Sequence, residues 1–215
     1  MSGIHLALLG MSFGSAAPTV IGQAFGGGFY AGQISTAGNG IADYYLIVAP
    51  KASGENSSKQ WKTSNTSTAG TSSVIDGPTN SSNMNNASHP AAQFCEGLTI
   101  GTFSDWYMPA MNELEVCYFN LKPATTTNNT SYGTNTNAVP SRPSNYTAGT
   151  PAQTAATDFQ TGNTQALNPG GGVDYWCSTE FSATMGRIQI MDAGEQLSNA
   201  KANNAYVRAV RRVAV

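Results

Sequence analysis

The chain has 215 residues and a formal net charge of −2, and charged side chains are only 10% of it, against roughly 25% in ordinary soluble domains. Ten Lys and Arg face twelve Asp and Glu, so no basic surplus exists to neutralise phosphates and nucleic-acid binding is not expected. No apolar run reaches the roughly 18 residues of a bilayer-spanning helix, and Glu, Lys and Leu are too scarce for a long coiled coil. Three Trp, nine Tyr and eight Phe can build a core and argue against disorder.

Residues 1–27 read as an apolar N-terminal assembly arm. Ile4–Gly10 and Gly14–Ala17 faintly resemble a signal peptide but lack its positive n-region. Gly10, Gly14, Pro18 and Gly22 argue against one long helix. Leu8, Leu9, Phe13, Val20, Ile21 and Phe25 would be an aggregation liability if left exposed. Gly26-Gly27-Gly28 marks a sharp turn or a close backbone approach, with no phosphate-loop spacing after it.

Strands are expected at Phe29–Ser35 and Asp43–Ala49, with Asn39-Gly40 turning between them. The continuous run Tyr44–Val48 suits a strand buried on both faces. A short strand is expected around Gln60-Trp61-Lys62. Residues 64–88 carry no periodicity and read as a loop. Pro90–Glu96 reads as a short helix, started by Pro90, stopped by Gly97 and capped by His89. Asp105–Pro109 is extended because Pro109 excludes Met108 from the helical region.

The strongest helix signal is Ala110–Leu121, where Leu114, Cys117, Tyr118 and Leu121 form one stripe and Glu113 and Glu115 favour the N-terminal dipole. Residues 124–172 are a second long polar stretch. Strands are expected again at Asp174–Glu180, Arg187–Asp192 and Tyr206–Val213, with a hairpin at Asp192–Glu195. Cys95, Cys117 and Cys177 are three in number, which fits three buried thiols or one bridge plus one free thiol. No cysteine–histidine spacing suggests zinc.

Phe103–Pro109 followed by Asn112–Glu115, then Tyr175–Glu180, then Tyr206–Arg212, resemble in that order the Lcl C-terminal-type domain. That family is similar to formylglycine-generating enzymes, has a C-type-lectin-like fold, and occurs in bacterial adhesins and tailed-phage virion proteins. The resemblance spans residues 28–215, and Phe25–Gly32 also looks like the phage versions. It implies an α+β, C-type-lectin-like domain with long polar loops, preceded by the extended arm. Trp106, Glu113, Trp176, Glu180, Arg208 and Arg211 then belong to the scaffold, with Arg208 or Arg211 expected to pair with Glu180 or Glu113.

Cys177 stands where the family usually has Ser, outside any matching catalytic motif, so the resemblance implies no enzyme, no cofactor and no metal. A calcium signature of sugar-binding lectins is missing, and Asp192 with Glu195 are too few for a calcium cage. By position, the ligand-facing surface would lie at 181–206, with Arg187, Gln189, Asp192, Glu195, Gln196, Lys201, Asn203, Asn204 and Tyr206 as exposed candidates. The implied function is a bacteriophage virion protein, assembled in the host cytoplasm as a homo-oligomer, expected to be a trimer. Residues 1–27 would bind other virion proteins without membrane insertion, and the domain would attach to a host-surface glycan or protein. The alternative is a capsid or tail decoration protein with a structural role.

Overall fold

The structure, a computed structural model, describes residues 16–215. It is a mixed α+β fold of two five-stranded sheets and four helices. The first sheet orders β1 (Ala24–Phe25), β2 (Gly28–Ile34), β3 (Tyr44–Val48) and the last strand, β10 (Val210–Ala214), all antiparallel, with the short β5 (Ala138–Val139) also pairing with β2. The second sheet orders β4 (Glu55–Gln60), β9 (Asn204–Arg208), β6 (Asp174–Glu180), β7 (Met185–Ile190) and β8 (Gln196–Ala200). Its β6–β9 pairing is parallel and the others are antiparallel. The helices are α1 (Lys51–Gly54), α2 (Gly77–Asn83), α3 (Pro90–Glu96) and α4 (Met111–Leu121).

Successive strand residues point to opposite faces, and here both faces are covered. In β3, Leu46 and Val48 join a core around α4, while Ile47 joins a second core containing Trp61, Trp106 and Trp176. In β6, Tyr175 and Cys177 face the first core and Trp176 the second. The unbroken apolar run at 44–48 therefore has the cause expected of it. Trp106 and Trp176 share one core, as their size predicted. Trp176 Nε1 donates to Lys59 O at 2.8 Å and Trp61 Nε1 to Cys177 O at 2.9 Å, so neither buried indole loses a hydrogen bond.

The glycine run works as read. Gly26 and Gly27 have φ of +57° and +81°, and a Cβ on Gly28 would lie 2.3 Å from Val48 O. The turn they make returns the chain onto β2, so Ala24–Phe25 is a strand of the first sheet. Ile21 and Phe25 pack against the cores, and Val20 is 64% exposed. Leu8, Leu9, Phe13 and the rest of residues 1–15 lie outside the described residues.

Several expectations need correction. The 64–88 stretch contains α2, which has hardly any apolar residues but is started by Asp76, whose carboxylate accepts from Thr79 N, and by Pro78 in its first turn. The strand near Trp61 is β4, ending at Gln60. The last expected strand is two strands in different sheets. Ala209 breaks it, donating to Gly54 O and accepting from Ala49 N. Strand β8 was not expected at all. His89 does occupy the N-cap position of α3, but its side chain makes no cap bond. It bonds Thr68 Oγ1 and Asn86 Oδ1 instead, each at 2.9 Å.

Helix α4 keeps its stripe of Leu114, Cys117, Tyr118 and Leu121, yet Asn112, Glu113, Glu115 and Val116 are buried too. The helix is embedded rather than laid on a surface.

Candidate functional site

The buried charges fix the frame on which any site sits. Glu113 Oε2 accepts from Ala110 N at 2.8 Å, as a carboxylate in a first helical turn should. Its Oε1 accepts from Tyr107 OH at 2.5 Å and Arg212 Nε at 2.8 Å. Burial raises the Glu113 pKa, and the Arg212 charge opposes the rise.

The expected partners are wrong. Arg208 pairs with Glu55 at 2.9 Å, Arg211 forks onto both oxygens of Asp105, and Glu180 pairs with Lys201. The reason is register: Arg211 and Arg212 alternate across β10, and the break at Ala209 leaves Arg208 in the other sheet. The paired Arg211 guanidinium also stacks 4.1 Å over the Phe103 ring.

Of the nine candidate ligand residues, Asp192 and Glu195 lie at the tip of the β7–β8 hairpin, with Gln196 and Gln189 paired just behind it. Lys201, Asn203 and Asn204 lie past the opposite end of β8, five residues or about 17 Å away, Arg187 is opposite Ser198 in the middle of β8, and Tyr206 is in β9. The two ends do not form one contiguous surface. Lys201 and Gln189 are buried, not exposed.

The Lys201 ammonium donates to Glu180 Oε1, Thr66 O and Ala183 O and sits 4.5 Å over the Trp61 ring, which pins the β8–β9 turn to the 62–68 loop. Gln189 faces Tyr175 on one side and Gln196 on the other, and its side-chain amide has no hydrogen-bond partner among the described residues. Tyr206 is half-buried against Tyr175 and accepts from Asn168 Nδ2 at 3.1 Å. Arg187 stacks 4.1 Å over the half-exposed Phe181 ring. Asn203 and Asn204 are exposed.

The hairpin tip is the group that packs against α4 and the 124–172 segment. Gly194, at φ +81°, lies so close to Tyr118 and Tyr146 that a Cβ would come within 2.4 and 2.7 Å of their rings. Asn129 clamps the tip from the 124–172 segment, donating from its backbone to Ala193 O and from its side chain to Glu195 Oε1, both at 2.8 Å.

Beside this contact lies a groove of about 300 Å³. Phe119 and Tyr146 form its aromatic wall, and Arg142, Ser144, Asn145, Thr147 and Thr150 line the rest. Arg142 is neutralised there by Glu115, which also accepts from Tyr146 OH at 2.7 Å and Asn135 Nδ2 at 2.5 Å. Arg142 also stacks 3.9 Å over the Phe119 ring and Tyr146 is only 6% exposed, so the groove offers part of Phe119 together with hydroxyls and amides, and no unpaired charge. Sequence reading missed it because its walls come from α4 and from a loop without periodicity.

Among the described residues no group of three or more His, Cys, Asp or Glu could hold a metal ion, and no helix is long and apolar enough to cross a membrane. The three thiols are free and buried. Burial pushes Cys177 up to about 12 and also raises Cys95 and Cys117, so each is a thiol rather than a thiolate at neutral pH. No protein-family model matches the chain, and no curated protein matches it in sequence.

Proposed function

We infer that this chain is a bacteriophage virion protein whose C-type-lectin-like domain, residues 28–215, attaches the particle to the host surface without catalysis. The observation that carries the reading is the neutral groove beside the clamped hairpin tip. Aromatic rings stack on the C–H faces of a sugar, and Ser, Thr and Asn side chains exchange hydrogen bonds with its hydroxyls. The occupant is a host glycan, and a host protein is the variant of the same reading. Supporting the family resemblance, the residues that carry it sit where the two sheets join: Tyr107 bridges to Val210, Glu113 to Arg212, and Trp106 and Trp176 share a core.

The remaining features of the reading are an oligomer, taken as a trimer, and anchoring to other virion proteins through residues 1–27. Binding of the purified oligomer to host cells and to arrayed host glycans tests it. Saturable binding, weakened when Phe119 is replaced, supports the reading; no binding in the oligomeric state counts against it.

A decoration role has its own motivation. Val20 is exposed beside shallow grooves shared with Ala155 and Ala156, a surface suited to a neighbouring subunit. Deleting residues 1–25 should release the protein from the particle under that reading, and unchanged incorporation would remove it.

A further inference from the structure

Lys122 ends α4 as its C-cap and is almost wholly buried. Buried Lys201, Arg208 and Arg211 each have a carboxylate partner. Lys122 has none within ion-pair distance among the described residues. Its Nζ donates instead to Thr126 O, to Pro151 O at 3.3 Å and to the side-chain oxygen of Asn128 at 2.6 Å. Asn128 is buried as well.

The orientation of the Asn128 amide is fixed by its neighbours. An ammonium can only donate, so Oδ1 faces Lys122, and Nδ2 faces three carbonyls: Pro151 O at 2.8 Å, Thr147 O at 3.2 Å and Ala148 O at 3.4 Å. Tyr118 OH donates to the same Oδ1 at 2.7 Å. A nitrogen 2.6 Å from a carbonyl oxygen lies within about 4 Å of the carbonyl carbon, since the C=O bond is about 1.23 Å. The upper end of that range lies somewhat beyond the roughly 3–3.5 Å of an attack-ready pair, so a small shift of either side chain brings the atoms into reach.

We propose that Lys122 and Asn128 join in an intramolecular isopeptide bond, with Tyr118 as the catalytic hydrogen-bond donor. The Lys122 amine attacks Asn128 Cγ, and the carbonyl oxygen gains negative charge, held by Tyr118 OH. The C–O double bond re-forms as Cγ–Nδ2 breaks, and Nδ2 leaves as ammonia. The Lys122 ammonium gives one proton to solvent before attack, a second passes from the attacking nitrogen to Nδ2 as it leaves, and the released ammonia takes up a proton from solvent, so one ammonium enters as Lys122 and one departs as free ammonium. No oxidant, reductant or other co-reactant is required.

Two features suit this step. Burial lowers the Lys122 pKa, with the Asp192 charge opposing it, and so favours the attacking amine. The carbonyls around Nδ2 accept hydrogen bonds from the departing group, and a solvent-open pocket lined by Lys122, Thr126, Ala148, Gly149 and Pro151 gives it an exit. The product is a covalent loop from the end of α4 to the start of the long polar segment.

The test is the intact mass of the purified full chain, before and after incubation in mildly alkaline buffer, followed by fragmentation. The expected result is a mass lower than the sequence by one ammonia, with no fragment ions from cleavage between residues 122 and 128. Lys122→Met and Asn128→Ala should both keep the full mass. Tyr118→Phe should form the bond roughly a hundredfold more slowly, and an unchanged rate would overturn the assignment of Tyr118. A wild-type chain of full mass, with Lys122 open to amine labelling after denaturation, overturns the proposal. So does an ammonia loss that maps elsewhere, such as the Asn39-Gly40 pair.

Discussion

Glu113 and Glu115 sit two residues apart on α4, both buried, and they hold different parts of the molecule. Glu113 joins Tyr107 and Arg212, so it ties the helix to the first sheet. Glu115 joins Asn135, Arg142 and Tyr146, so it ties the same helix to the long polar segment. Both are desolvated, and burial raises both pKa values. They differ in what would happen to the partner if the acid were lost. Arg212 is wedged between Tyr44, Tyr107 and the Ile75 carbonyl, against the first sheet, whereas Arg142 stacks 3.9 Å over Phe119 in the wall of the groove. One acid secures the frame and the other secures what the frame displays.

The largest effect should come from breaking the frame. Glu113→Ala leaves Arg212 buried without a counter-charge and should cost about 3–5 kcal/mol, seen as a lower denaturant midpoint for the whole domain. Glu115→Ala should cost less, about 1–3 kcal/mol. Its signature is local: protease nicking and faster amide exchange within 128–150, with the sheets still protected. Equal loss of protection in both regions would end the distinction.

A pH experiment sharpens the comparison from another side. Burial, with Lys62 and Lys201 nearby and Glu180 opposing them, pushes the His89 pKa down to about 4 from its ordinary 6.5. Protonation therefore favours the unfolded chain. The contribution is full above about 6.5 and is lost as pH falls toward about 4. The two glutamates titrate in the opposite sense, because raised carboxyl pKa values favour the folded state in acid. Because the glutamates oppose it, the His89 contribution is read as a difference: the melting temperature of the wild type, relative to that of His89→Gln, should decline as pH falls through that window. An imidazole that titrates near 6.5 by NMR would contradict the burial argument.

The smallest effect on stability belongs to the groove. Phe119→Ala should change stability by about 1–2 kcal/mol, less than a fully buried aromatic, and under the proposed attachment role it should weaken host-cell binding at least tenfold. Unaltered binding would separate the groove from attachment.

How much of this was legible depended on the range of the interactions. The Pro90 and Pro109 signals, the α4 stripe, the Asp192–Glu195 hairpin and the burial of Trp106 and Trp176 are written in neighbouring residues, and each was found there. Strand β8, Gln-Leu-Ser-Asn-Ala, has no β-branched residue, and its polar composition suits an edge. Helix α2 has a cap and a proline but no apolar stripe.

The ion pairs were misassigned because partners across a sheet follow register, and a single break at Ala209 moves Arg208 into another sheet. In the 124–172 segment, side-chain amides do the work that backbone ladders do elsewhere. Asn128, Asn135 and Asn137 bond groups up to about a hundred residues away, and no local pattern announces such bonds.

In the first sheet β2 and β10 flank β3, with Phe29 and Val210 both opposite Val48 and with Ile34 and Ala214 both opposite Tyr44. The outer two strands therefore run the same way. Tension applied between the chain ends, once the short β1 turn has peeled away, would slide β2 and β10 along β3 in shear, loading their hydrogen bonds together instead of one after another. A domain loaded in this way resists unfolding under tension, and single-molecule pulling should record one high, abrupt rupture.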